Sequence, residues 1–105
     1  DKDAFVSVSG ASKKDYIERK ISNELEGIMD GRKATLIVEE GKTIPLHNDE
    51  DAGEYSNQVI APIIAEGDAI GAVMILSKTP GEKFSEIELK LAETAAAFLG
   101  KQMEQ

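Results

Sequence analysis

The sequence predicts an α+β fold, an antiparallel sheet flanked by helices, and three observations carry that expectation. Val59–Ala65 and Ala69–Leu76 are Val- and Ile-rich runs separated by Glu66-Gly67-Asp68. A run with no polar face to give to water is a strand covered on both sides, or else one buried helix. The β-branched content and the Gly-Asp pair, which supplies positive φ where a chain reverses, favour a central hairpin. The second observation is a stripe of Ile17, Ile21, Leu25 and Ile28 at helical spacing before the hairpin, and the third is a broader helical pattern from Ile87 to Met103 after it. A two-faced apolar ribbon between amphipathic helices is a layered domain with its sheet inside.

Composition bounds the function. At 105 residues the chain is one domain or part of one, and 41% hydrophobic with 30% charged residues places it among globular proteins. A net charge of -8 repels phosphate backbones, so this polypeptide by itself is expected to bind neither DNA nor an anionic membrane. No apolar run reaches bilayer length and no signal pattern opens the chain, which predicts a cytoplasmic protein. Cysteine is absent, and with it thiolate nucleophiles, zinc–thiolate sites and disulfide redox chemistry.

Along the chain, Asp1-Lys2-Asp3 reads as a turn and Ala4–Ser9 as a strand with Phe5, Ser7 and Ser9 on one face. Opening on a turn suggests that a preceding strand and helix belong to the full protein. Ser12 is a good N-cap with Asp15 in the first turn, and Gly31 suits a left-handed end, so a helix is expected from Lys13 to Asp30. Ala34–Glu39 is a strand, and Glu40-Gly41-Lys42 turns into a shorter one around Thr43–Leu46, which Pro45 places at an edge. His47–Ser56 is an acidic loop, long enough to be a lid or binding loop. Within the hairpin, Pro62 and the nearly opposite Gly71 suggest a bulge or close approach. Thr79-Pro80-Gly81 ends the second hairpin strand. Ser85 with Glu88 forms a capping box, Phe84 with Leu89 a hydrophobic staple, and the last helix runs to about Met103.

That helix carries two apolar rows. Leu89, Ala92, Ala96, Leu99 and Met103 repeat with heptad spacing, and Ile87, Leu91, Ala95 and Phe98 lie beside them. One row covers the sheet and the other is free to meet a second helix, either an upstream helix of the full protein or that of a symmetry mate, close approach being allowed by the alanines. Leu89, Ala92, Ala96, Leu99 and Met103 are the residues expected at an oligomer contact, giving a homodimer or homotetramer through terminal helices.

No catalytic constellation stands out. His47 is the sole histidine; the acidic residues after it lack a calcium-loop pattern, and no Gly-x-Ser-x-Gly elbow serves Ser7 or Ser9. The expectation is a binding module rather than an enzyme, with no metal and no cofactor. A sheet with a helix-covered face and a long loop leaves room for a small ligand, and its candidate contacts are Phe5, Ser7, Ser9, Tyr16, His47 and Asn57.

Ala61-Pro62-Ile63 with DAIGAVMILSK, followed by a helix capped by Ser85 and Glu88, resembles the closing half of a GAF domain; more specifically, GASKKDYIERKISNELEGIMDGR, YSNQVIAPIIAEGDAIGAVMILSK and LAETAAAFLGKQMEQ resemble the C-terminal domain of the stage V sporulation protein T family, AbrB-related transcription regulators of endospore-forming bacteria. The resemblance implies a GAF-like regulatory domain over residues 1–105, with DNA contacted only through an N-terminal domain absent here. It further implies a forespore protein that activates or represses genes dependent on sigma factor G, senses an unidentified small molecule and assembles as a tetramer. The signature of cyclic-nucleotide-binding GAF domains is missing, and without cysteine neither bilin attachment nor methionine-sulfoxide reduction is expected.

Overall fold

A computed structural model describes the backbone of residues 5–9 and residues 21–39, 41–47 and 53–104 in full. Its elements are β1 (Phe5–Ser9), α1 (Asn23–Gly31), β2 (Thr35–Ile37), β3 (Asn57–Ala65), β4 (Asp68–Ser77) and α2 (Glu86–Gln102). The sheet order is β1-β4-β3-β2. The hairpin β3–β4 is central and antiparallel, β2 is antiparallel to β3, and β1 joins the outer side of β4 in parallel, Phe5 opposite Gly71 and Ser9 opposite Ile75. The α+β architecture expected from the apolar runs is present and is consistent with the GAF-like fold that the resemblance implies, with β1 as a parallel addition to the antiparallel core.

The hairpin turn is Glu66-Gly67, with φ of 52° and 85°. Positive φ at both central residues matches the strand twist across a two-residue loop, and Ala65 pairs with Asp68 on either side. The reversal is therefore one residue earlier than the Gly67-Asp68 pair suggests. Register shifts between Ile63, opposite Gly71, and Ile64, opposite Ala69, so the bulge signalled by Gly71 exists. Pro62 sits in a central strand. It is tolerated because the ladder to β2 ends at Thr35 opposite Ile60, and beyond it β3 is flanked by β4 alone among the described residues.

Alternate residues of the hairpin serve two cores. On one face Ile60, Ala72, Met74 and Leu76 pack with Leu25 and Met29 of α1 and with Ile21, Leu46 and Tyr55. On the other Val59, Ala61, Ile63 and Val73 pack with Ala92 and Ala96 of α2, flanked by Phe84, Leu89 and Leu99. Both faces are covered, which is why the strands carry no polar alternation.

Three expectations are corrected. The helix expected from Lys13 does not run unbroken to Asp30: Ile21 bridges His47 in the antiparallel sense, and Ser22 is extended (ψ 162°) and caps a helix that begins at Asn23. Ser22 wins because it is buried and bonded in several directions, its N–H donating to Leu46 O at 2.9 Å, its Oγ donating to Pro45 O at 2.6 Å and accepting from Leu25 N–H at 3.0 Å. Ser12, Asp15 and Ile17 lie outside the described residues. At the other end Arg32, not Gly31, takes the left-handed conformation (φ 59°). Its guanidinium compensates, donating from Nε (3.0 Å) and Nη2 (2.8 Å) to Gly67 O and from Nη1 to Asp30 O. Finally, Thr43–Leu46 is no regular strand. The side chain of buried Gln58 stands in for one, accepting from Ile44 N–H at 2.9 Å and donating to Ile44 O at 2.6 Å.

Candidate functional site

Of the residues expected to touch a ligand, Phe5, Ser7 and Ser9 lie on β1 with their backbones beside Gly71, Val73 and Ile75, and Tyr16 is outside the described residues. His47 is 1% exposed, in the buried segment that follows Leu46 rather than on a solvated loop. Asn57 is fully buried and its amide works inside the chain: Nδ2 donates to Ser56 Oγ (3.0 Å) and Glu82 O (2.7 Å), and Oδ1 accepts from Phe84 N–H (2.9 Å). These bonds tie β3 to the approach of α2. Among the described residues no group of three or more His, Asp or Glu side chains is arranged to hold a metal ion.

The features open to a partner lie along α2. Its start is firmly set: Ser85 Oγ accepts from Ile87 N–H at 3.2 Å, and Glu88 Oε1 accepts from Ser85 N–H at 2.7 Å, the reciprocal capping box that Ser85 and Glu88 predicted. The backbone N–H of Ser85, first, holds the Glu88 carboxyl below its usual range by stabilising the anion. Small residues then let the helix lie close on the sheet. Ala92 and Ala96 are buried, and Gly100 packs so tightly that a Cβ there would overlap the Ile64 carbonyl oxygen.

This closeness decides which apolar row faces where. The sheet takes Ala92 and Ala96 with Leu89 and Leu99 packed alongside, the very residues expected at an oligomer contact. The neighbouring row is left in solvent, Ile87 69%, Leu91 60% and Phe98 61% exposed, together with Met103 at 54%. A shallow apolar groove of about 410 Å³ lies along the first turns of this face, between Ile87, Leu91 and Thr94. The row of small side chains thus takes the sheet and the row of large ones stays in solvent, because small side chains can approach a flat sheet more closely.

A second cleft, of about 460 Å³, opens between the C-terminal half of α2 and the part of β3 that β2 does not reach. Its apolar lining is Ala34, Ala61, Pro62, Ile64 and Ala96 with the exposed Ala97, and its charged rim is Arg32, Lys101, Glu93 and Glu104. Nothing in the sequence marked this place, since Arg32 and Lys101 are far apart along the chain.

The comparisons with known proteins agree on one family. The profile described as "Stage V sporulation protein T C-terminal, transcription factor" matches residues 1–104. Stage V sporulation protein T of Bacillus subtilis (strain 168) is 47% identical over 107 residues, an alignment that takes in 100% of this chain. The chain spans 57% of that relative's length.

Proposed function

This chain belongs to the stage V sporulation protein T C-terminal family of transcription factors, and on that premise we propose that it is a ligand-sensing and oligomerising regulatory domain. The regulator it serves would activate or repress forespore genes dependent on sigma factor G, and DNA would be contacted by a separate N-terminal domain. The net charge of -8 supports that division of labour. Among the described residues no helix is long and apolar enough to cross a membrane.

The observation that carries the proposal is the solvent-exposed row Ile87, Leu91 and Phe98, on a helix whose opposite side is already in the core. Large apolar side chains in a continuous row mark an interaction surface, and burying each stabilises an assembly by about 1.5–3 kcal/mol. A matching helix from a second copy satisfies that surface by packing row against row. A ligand that favours one arrangement of these helices would alter the spacing of attached DNA-binding domains.

The test is the double substitution Leu91→Glu with Phe98→Glu, measured by light scattering. Both side chains are exposed, so far-UV circular dichroism should be unchanged while the assembly falls to monomer; an unchanged mass contradicts the assignment. A purely structural assembly module is the competing reading, favoured by the filled core around Leu25 and Leu46 and by the inward bonds of Asn57. A thermal-shift screen separates the two. A ligand at a hundred times its Kd adds about 2.7 kcal/mol, and a screen of metabolites from the native host without a single shift favours the structural module.

A further inference from the structure

We propose that the cleft between the C-terminal half of α2 and the uncovered part of β3 binds a small monocarboxylate with an apolar body. The inference deepens the sensing reading above, on which its regulatory consequence rests, by giving the ligand a place and a chemical class.

The void has a cause in the sequence. Ala34, Ala61, Ala96 and Ala97 put methyl groups where larger residues would fill the gap beside Pro62, and β2 stops short at Thr35. The resulting space of about 460 Å³ is within the range of small-molecule sites. Its floor is apolar and suits a short hydrocarbon.

The rim selects the head group. A guanidinium has five N–H donors. Three of Arg32's go to Gly67 O and Asp30 O, which fixes the group in position and leaves two free. Lys101 makes no side-chain hydrogen bond or ion pair among the described residues. The two carboxylates of the rim are engaged instead: Glu104 Oε2 accepts from Glu66 N–H at 3.2 Å, and Glu93 pairs with Lys90 at 3.9 Å. Unsatisfied donor capacity at the rim is therefore cationic, on a chain of net charge -8. A carboxylate matches a guanidinium edge with a lysine beside it. Glu93 and Glu104 repel a second negative charge, which disfavours dicarboxylates and polyphosphates.

Occupation of the cleft would reach the exposed row directly. Ala96, Ala97 and Lys101 line the cleft, and Phe98 lies between them in the helix. A ligand wedged there bears on the same helical turn that presents Phe98 to a partner.

Isovalerate, with isovaleramide as its neutral isostere, tests the assignment in ¹H–¹⁵N titrations of this chain and of two variants. Isovalerate should shift the amides of Ala34, Ile64, Ala97 and Lys101 saturably, and isovaleramide should not. Lys101→Gln should weaken isovalerate about tenfold, as loss of a charge-assisted contact does. Ala97→Leu, at an exposed position that tolerates bulk, should abolish saturation by filling the void. Shifts of equal size with the amide, shifts that do not saturate, or saturation that survives Ala97→Leu overturn the site. Sedimentation of the same samples is read separately. Saturable binding with unchanged association retains the site and overturns the regulatory reading; absent binding overturns the site and leaves the α2 assembly to its own test.

Discussion

Gly100 shows how a single hydrogen atom sets the geometry of α2. In the helix interior glycine is a poor choice, about 1 kcal/mol worse than alanine by propensity, yet here the added methyl would run into the Ile64 carbonyl. Gly100→Ala should therefore destabilise, by about 1–3 kcal/mol as overpacking does, and urea denaturation reads the sign: a gain in stability would mean that α2 does not approach β3 this closely. Gln58 works through hydrogen bonds. Gln58→Leu keeps the bulk but strips half-buried Ile44 of both backbone partners, and urea denaturation should show a loss of about 1–3 kcal/mol in all, since water can reach part of what is left unsatisfied. Glu88 supplies a pH dependence. Its folded pKa is depressed, so its contribution is present above the ordinary carboxylate range and is lost as pH falls through the folded value. The difference in Tm between the protein and Glu88→Gln should be constant from neutral pH down to that range and shrink below it; a difference that grows on acidification would contradict the capping role. The sequence showed Ser85 and Glu88 because a capping box is local. It could not show Gln58 or Gly100, whose partners lie at distant positions.

At the scale of elements, the hairpin was legible because both of its strands are apolar throughout, and both of its faces are indeed covered. The helices were legible in existence but not in limits or orientation. Ser22 has the residue type of a cap but no sequence mark to single it out, and it is its bonds to the segment around Pro45 and Leu46 that fix the helix start at Asn23. Likewise two adjacent apolar rows on α2 satisfy the same spacing rule. Side-chain size settles the choice: alanines and Gly100 admit the sheet, and Ile87, Leu91 and Phe98 remain outside. Of the expected contact row, only Met103 is left on the exposed side. Around His47 and Asn57 the sequence offers less, since polar residues in a turn-rich stretch look alike whether they face a cavity or, as with Asn57, bond the chain's own backbone.

Across the whole molecule the tip of the hairpin is a junction. Arg32 ties the end of α1 to Gly67 O, and Glu104, just past α2, receives Glu66 N–H. Both helices are thereby hydrogen-bonded to the same two-residue turn. The central claim is that α2 belongs half to its own sheet and half to a second copy. Its most direct test is an isotope-filtered NOE experiment on a mixture of labelled and unlabelled chains. Cross-peaks between copies should join the Ile87 and Leu91 methyls or the Phe98 ring to the same row of the partner, with none from Ala92 or Ala96. Intermolecular contacts that involve other surfaces, while Ile87, Leu91 and Phe98 keep solvent-exposed relaxation at every concentration, would contradict it.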